Sequence, residues 1–191
     1  MQRARYQITL GPLIAIEPRD DEIVRHAPAL MAAYNDPHNA PLLGHTEAMT
    51  AAEVIDSYRA LIADGGYSFM MFRAGALVAD GDLRHVQHAA AELAFLVTEP
   101  ANHGRGLGTL LATMLHAFAF TELGLARVYA SVVPDNAASL RVFAKLGHVI
   151  DDGPAARAYA DEPTDVVSVV DRARFTLAAG AALAAIAIAK R

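Results

Sequence analysis

The sequence predicts a mixed α/β fold in which one parallel crossover interrupts an otherwise antiparallel sheet. Three observations carry that expectation. Residues 67–72, 76–83 and 91–97 are short apolar runs divided by tight turns, as in a meander. After Pro100 the period changes, with Leu107, Leu110, Leu111, Met114, Leu115 and Phe118 recurring at helical spacing. Between the two lies a glycine-rich loop, His103-Gly104-Arg105-Gly106-Leu107-Gly108.

In chain order, residues 7–16 read as a strand. Asp20-Asp21 then opens an amphipathic helix through Ile23, Ala27, Leu30 and Met31, stopped by Asn35-Asp36-Pro37. Thr50 with Glu53 has capping-box spacing, and the helix it starts ends near Asp64-Gly65-Gly66. The three meander strands follow, then the long helix to Leu123-Gly124. A strand over 127–133 and a helix closing at Leu146-Gly147 come next, then strands at 149–150 and 165–170 and an apolar helix at the end. Strand, helix and strand across 91–133 make a right-handed parallel unit by the crossover rule. No repeat or linker divides the chain, so one domain is expected over residues 1–175. Residues 176–191 would be an alanine-rich helix packed on that domain or on a partner subunit, with a homodimer as one outcome.

Composition narrows the chemistry. The 191 residues include no cysteine, which excludes thiolate metal sites and a cysteine-bound acyl intermediate. Sixteen basic against 21 acidic residues leave no basic stripe for nucleic acid, so a polyphosphate would need a local site. The histidines His38, His45, His85 and His88 have no metal-ligand spacing. His85 and His88 flank a turn before Glu92 and read as surface groups or as groups that reach an acceptor channel. His38 and His45 lie in the loop between the first two helices, and His116 reads as a boundary residue, so no metal is expected. No leader-like apolar segment follows Met1, which points to a cytoplasmic protein. The uncharged stretch 175–189 is 15 residues long, short of the ~18–20 a membrane-spanning helix needs. A peripheral anchor built from it is the alternative to a buried helix.

The glycine loop stands where a strand hands over to a helix. Glycines there allow positive φ and close approach, and the free amides of a helix start attract anions, so a pyrophosphate fits. Close helix packing explains glycines equally well. A P-loop would need a lysine where Thr109 follows Gly108, and a dinucleotide fingerprint would need G-x-G-x-x-G rather than G-x-G-x-G.

From these motifs the sequence resembles the GNAT acetyltransferases. Their cofactor motif, Gln/Arg-x-x-Gly-x-Gly/Ala, is similar to His103 through Gly108 with His103 in first place. Residues 120–130 look like the family's helix end and next strand, and Asn136 through Gly147 like its second cofactor motif, with His148 where Phe is usual. Asn35-Asp36-Pro37 and Leu43-Gly44-His45-Thr46 are similar in layout to the branch that acetylates ribosomal-protein N-termini. The resemblance implies acetyl-CoA as co-substrate and a primary amine, on a small molecule or a protein N-terminus, as acceptor. The backbone of Phe95, Leu96 and Val97 would pair with the pantetheine arm, Phe95 and Val97 through their outward groups. His103, Gly104, Arg105, Gly106, Leu107, Gly108 and Thr109 would take the pyrophosphate, and Asn136 and Ser139 would meet the arm. Arg141 reads as a solvated residue or a neighbour of the nucleotide.

Two catalytic groups usual in the family are missing. Ser131 holds the place of a Glu five residues before Asn136, and Phe143 that of the general-acid Tyr seven residues after it. Glu92 lies 14 residues before Gly106, the spacing of the general-base Glu of the histone-acetyltransferase branch. It is either that base or a structural strand-edge carboxylate. The matching alternative for the whole chain is a degenerate GNAT module that binds acyl-CoA without catalysis.

Overall fold

A turn at Gly11-Pro12 divides the first strand region into a hairpin, β1 (Tyr6–Leu10) and β2 (Leu13–Ile16), where one strand is expected from the sequence. The computed structural model describes residues 3–44 and 47–191. His45 and Thr46, part of the loop resemblance above, therefore lie outside the described residues. Helix α1 (Asp20–Tyr34) begins with Asp20, Asp21 and Glu22, which complement the positive end of its dipole. Helix α2 (Ala51–Ala63) carries the capping box that the spacing predicts. The Glu53 amide donates to Thr50 Oγ1 at 3.2 Å, and the Thr50 amide donates back to the Glu53 carboxylate at 2.7 Å.

The meander follows as β3 (Tyr67–Arg73), β4 (Ala76–Gln87) and β5 (Ala90–Val97). β4 runs four residues past its expected end, through an irregularity between Arg84 and Gln87 that keeps it paired to β5. Then come α3 (Leu107–Thr121), β6 (Arg127–Val132), α4 (Ala137–Lys145), β7 (Val149–Ile150), the short α5 (Pro154–Arg157) and β8 (Val166–Asp171). Among the described residues the sheet has nine strands in the order β7-β8-β6-β5-β4-β3-β2-β1-β9, the last being Ile186–Lys190. Its one parallel contact, β5 with β6, is as expected but short: only Ala90, Ala91 and Glu92 pair, with Arg127, Val128 and Tyr129.

The chain end departs from the sequence reading. Residues 176–190 are not one helix. Helix α6 (Arg172–Ala179), capped by Asp171, stops at Gly180; a 3-10 turn (Gly180–Ala185) follows, then β9 (Ile186–Lys190). β9 pairs antiparallel with β1 from Tyr6↔Lys190 to Leu10↔Ile186. The physical reason lies in the last residues, Ile186-Ala187-Ile188-Ala189, which alternate with period two. Ile186 and Ile188 join the core while the alanines face out. Pairing also covers β1, otherwise an open sheet edge. The apolar tail is thus spent on this chain's own sheet rather than forming an amphipathic anchor. Among the described residues no helix is long and apolar enough to cross a membrane.

Two apolar layers sandwich the sheet. Leu111, Met114, Leu115 and Phe118 of α3 pack on one face with Phe69, Leu83 and Leu93. On the other, Ile23, Ala27 and Leu30 of α1 and Val54 and Tyr58 of α2 cover Met70. The alternation of β4 sends Ala79, Gly81 and Leu83 toward α3, leaving Asp80, Asp82 and Arg84 on the α1/α2 face.

His116 is not a boundary residue: it is fully buried on α3 beside a second buried histidine, His148. His116 Nδ1 sits 2.7 Å from the Ala112 carbonyl, which can only accept, so Nδ1 carries the proton. Nε2 of a neutral His116 then accepts from His148 Nε2 at 2.8 Å, and His148 Nδ1 accepts from the Ser168 hydroxyl at 3.1 Å. Both rings are held neutral. Burial lowers His116 to about 4, and burial together with His116 holds His148 well below its usual value. The unfolded chain binds protons on these rings near pH 6.5 that the folded chain refuses. Stability is therefore full above about pH 6.5 and falls as pH drops toward 4. Melting temperature is expected to decline over that window, and less in a His116→Leu/His148→Phe variant; equal pH dependence in both would refute this role.

Candidate active site

The glycine loop folds as a helix start. Gly106, with φ 81° and ψ 0°, is the left-handed N-cap of α3. The first bond inside the helix is Leu110 N–H to the Gly106 carbonyl at 3.0 Å, so the amides of Leu107, Gly108 and Thr109 precede the helix ladder. Gly108 serves a different need. A Cβ there would lie 2.7 Å from the Phe95 ring, so glycine lets α3 lie against β5. Positive φ thus explains the glycine at 106 and close helix packing the one at 108. His103 ties the loop to β5: its Nε2 donates to the Val97 carbonyl at 3.2 Å. Arg105 is exposed on the loop's outer side.

Beside this loop, β5 has an open edge. From Leu93 onward it pairs with β4 alone, because β6 diverges after Tyr129. Strand alternation fixes which groups face the gap. The Thr98 amide donates to Val78 of β4 at 3.1 Å, so the backbone of Leu96 and Ala94 also points to β4, and that of Val97 and Phe95 points away. Phe95 therefore presents both its N–H and C=O to the gap. Val97 turns its N–H and C=O the same way, and its carbonyl already accepts one hydrogen bond from His103. Leu96 contributes its side chain rather than its backbone.

Two cavities meet at the gap. The smaller, about 260 Å³, runs from the loop past His38, Arg141 and Lys145, and no carboxylate lines it. The larger, about 740 Å³, opens on the α1/α2 face over Asp80, Asp82 and Arg84. Phe95, Leu96, Asn136 and Ser139 line both. Asn136 is already used within the protein: its Oδ1 caps the Ser139 amide at 3.0 Å and its Nδ2 donates to the Leu42 carbonyl at 3.1 Å. One amide hydrogen remains for a ligand.

Glu92 lies behind the larger cavity. Its side chain is fully buried, Oε2 sits 3.1 Å from His85 Nδ1, and Oε1 has no partner. Burial raises Glu92 to about 8 against the lowering effect of Arg84, with Asp161, Asp82 and Asp165 adding to the rise. His85 is half-exposed and lines the cavity. The backbone irregularity after Arg84, with His85 at φ 50°, turns its ring onto Glu92. Arg84 is paired bidentately with Asp82 at 2.8 and 3.0 Å. Asp80 accepts from the hydroxyls of Tyr34 and Tyr58.

The profile of the Acetyltransferase (GNAT) domain matches residues 13–149, from β2 through β7 and including both cofactor motifs. The chain belongs to the GNAT acetyltransferase family. Solved structures with this fold include Mycobacterium smegmatis RimJ in complex with CoA-disulfide: 19% identity, TM-score 0.68, covering 93% of this chain and 95% of that one. Spermidine N-acetyltransferase from Vibrio cholerae, in complex with CoA and spermine, aligns at 15% identity and TM-score 0.70 over 86% of this chain and 98% of that one. Aminoglycoside acetyltransferase AAC(6')-Ib, in complex with coenzyme A, aligns at 16% identity and TM-score 0.68 over 90% and 98%. No curated protein matches in sequence.

Within the GNAT fold, the residues singled out in the sequence fall into two groups. The loop, Phe95, Leu96, Asn136 and Ser139 come together around one cavity, whereas Glu92 sits behind the other. Ser131 donates to Asp165 at 2.7 Å and accepts from the Asp161 amide at 3.0 Å, and Phe143 is buried against Phe95. The sequence reading passed over Asp80-Gly81-Asp82-Leu83-Arg84. Its signal was charge at every second position of a strand, which puts all three charged groups on one face. It also left His85 as a surface group or one near the acceptor, without its contact to Glu92. That contact depends on the local backbone irregularity, which no spacing rule announces.

Proposed function

We propose that this GNAT protein transfers the acetyl group of acetyl-CoA directly to a primary amine. The observation that carries the reading is the pair of cavities, cationic at the glycine loop and acidic at the other end, joined at the open edge of β5. The first has the basic lining that the phosphates of acetyl-CoA would need. The cofactor's pyrophosphate would meet the amides of Gly106 through Thr109, near Arg141 and Lys145. Its pantetheine arm would take the place of a strand beside Phe95, with Asn136 and Ser139 alongside. When bound, it supplies the acyl thioester.

The chain's own residues do the rest. The amine nitrogen attacks the thioester carbonyl carbon from the acidic cavity, forming the C–N bond as the C–S bond breaks. Its surplus proton passes to His85 and on to Glu92, the base behind it. The thiolate takes a proton from water or from the Ser139 hydroxyl, because Phe143 offers none and Ser131 is held by Asp165. The rival reading, an acyl-CoA-binding module without turnover, draws on the same absence of an acid at Phe143. Thiol release from acetyl-CoA with a panel of primary amines, with N-acetyl product followed by mass, separates the two. Product appearing in step with free thiol supports transfer; tight acetyl-CoA binding with no product from any amine supports the module.

A further inference from the structure

We infer that the acceptor is a small polycation, a molecule carrying at least two ammonium groups, one of which reacts while another is held by carboxylates of the larger cavity. The inference rests on the transfer reading above and narrows its acceptor.

Six carboxylates line this cavity: Asp64 at the end of α2, Asp80 and Asp82 on β4, and Asp161, Glu162 and Asp165 in the segment before β8. Among the described residues that line it, Arg84 is the one guanidinium, and it is largely spent on Asp82, with Asp161 3.8 Å away; Arg157, outside the lining, donates to the Asp165 backbone carbonyl at 2.7 Å. Asp64, Asp80, Glu162 and Asp165 have no ion pair among the described residues. Asp80 and Asp165 are nonetheless almost fully buried. Their hydrogen bonds come from the hydroxyls of Tyr34, Tyr58 and Ser131, which orient a carboxylate without cancelling its charge. Buried negative charge left in this state is costly, and a bound cation relieves it.

A second feature points into the same space. Ser68 of β3 lies directly across from Asp82 in the sheet register and so shares its face. It lines the cavity, is 3% exposed, and its hydroxyl has no hydrogen-bond partner among the described residues. A buried hydroxyl without a partner beside a carboxylate suits an ammonium N–H. The acids come from three elements, and Arg84 lies between two of them, 2.8 Å from Asp82 and 3.8 Å from Asp161. One guanidinium among six lining carboxylates leaves more negative charge than a single ammonium would offset. The smaller cavity, with Arg141 and Lys145 and no acid, is the reverse in sign, so a polycation is steered to one end and the cofactor to the other.

The test compares initial rates with 1,4-diaminobutane, spermidine and 2-deoxystreptamine against n-butylamine and an N-terminal peptide with uncharged side chains. At least one polyamine is expected to exceed n-butylamine in kcat/KM by about five-fold or more at low salt. That advantage should shrink at 0.5 M NaCl, about ten-fold above the low-salt arm. Asp161→Asn/Glu162→Gln should remove most of it by raising the amine KM while the acetyl-CoA KM holds. Which of the three is preferred distinguishes an aliphatic polyamine from an aminocyclitol. Equal kcat/KM for n-butylamine and every polyamine, or a preference for the peptide, overturns the inference but leaves acetyl transfer standing. If no amine is acetylated, spermidine titrated into the protein with and without CoA decides separately. Salt-sensitive binding that weakens in the double variant sustains the cationic site, and no binding overturns it.

Discussion

Glu92→Gln is expected to lower kcat by about 100-fold or more while leaving acetyl-CoA affinity nearly intact. Glutamine keeps the shape of the buried side chain and its contact with His85 but cannot take a proton. The wild-type carboxyl is raised to about 8 by burial. A base must be deprotonated to act, so the wild-type rate should rise with pH through about 8, and the variant should lose that rise. His85→Ala should reduce the rate as well, because Glu92 itself does not line the cavity. Full turnover by Glu92→Gln between about pH 6 and 9 with a good acceptor would make Glu92 structural. The enzyme would then work by positioning an amine that is already neutral.

Much of the fold was legible because local signals and burial agree. The capping box at Thr50 and Glu53, the period change after Pro100 and the glycine loop each fix an element without help from distant contacts. The end of the chain was not legible in the same way. Its alanines suit a helix, but the partner that makes a strand of Ile186–Lys190 is β1, at the far end of the sequence, and that pairing overrides propensity. The half of the candidate site around the glycine loop could be read because it is one contiguous loop plus a second motif. The acceptor half could not, since Asp80, Ser68 and Asp165 come from three separate strands and loops and meet only in the folded sheet. Glu92 was placed by spacing alone, and spacing cannot tell that the side chain is buried behind His85.

The central claim is that the helix start at Gly106 holds the phosphates of acetyl-CoA, and a titration of acetyl-CoA into the protein and into Gly106→Val tests it most directly. Gly106 holds a φ of 81° that a β-branched residue strongly disfavours, while a Cβ there would touch no atom within 4 Å. The substitution therefore acts on the backbone turn that aims the amides, not on core packing. A thermal melt of each protein, run alongside, confirms that the comparison is between folded molecules. The wild-type protein is expected to bind acetyl-CoA, and Gly106→Val to bind it more than ten-fold more weakly, about 1.4 kcal/mol or above. Equal affinity in a folded Gly106→Val protein, or no binding by the wild type, would contradict the account.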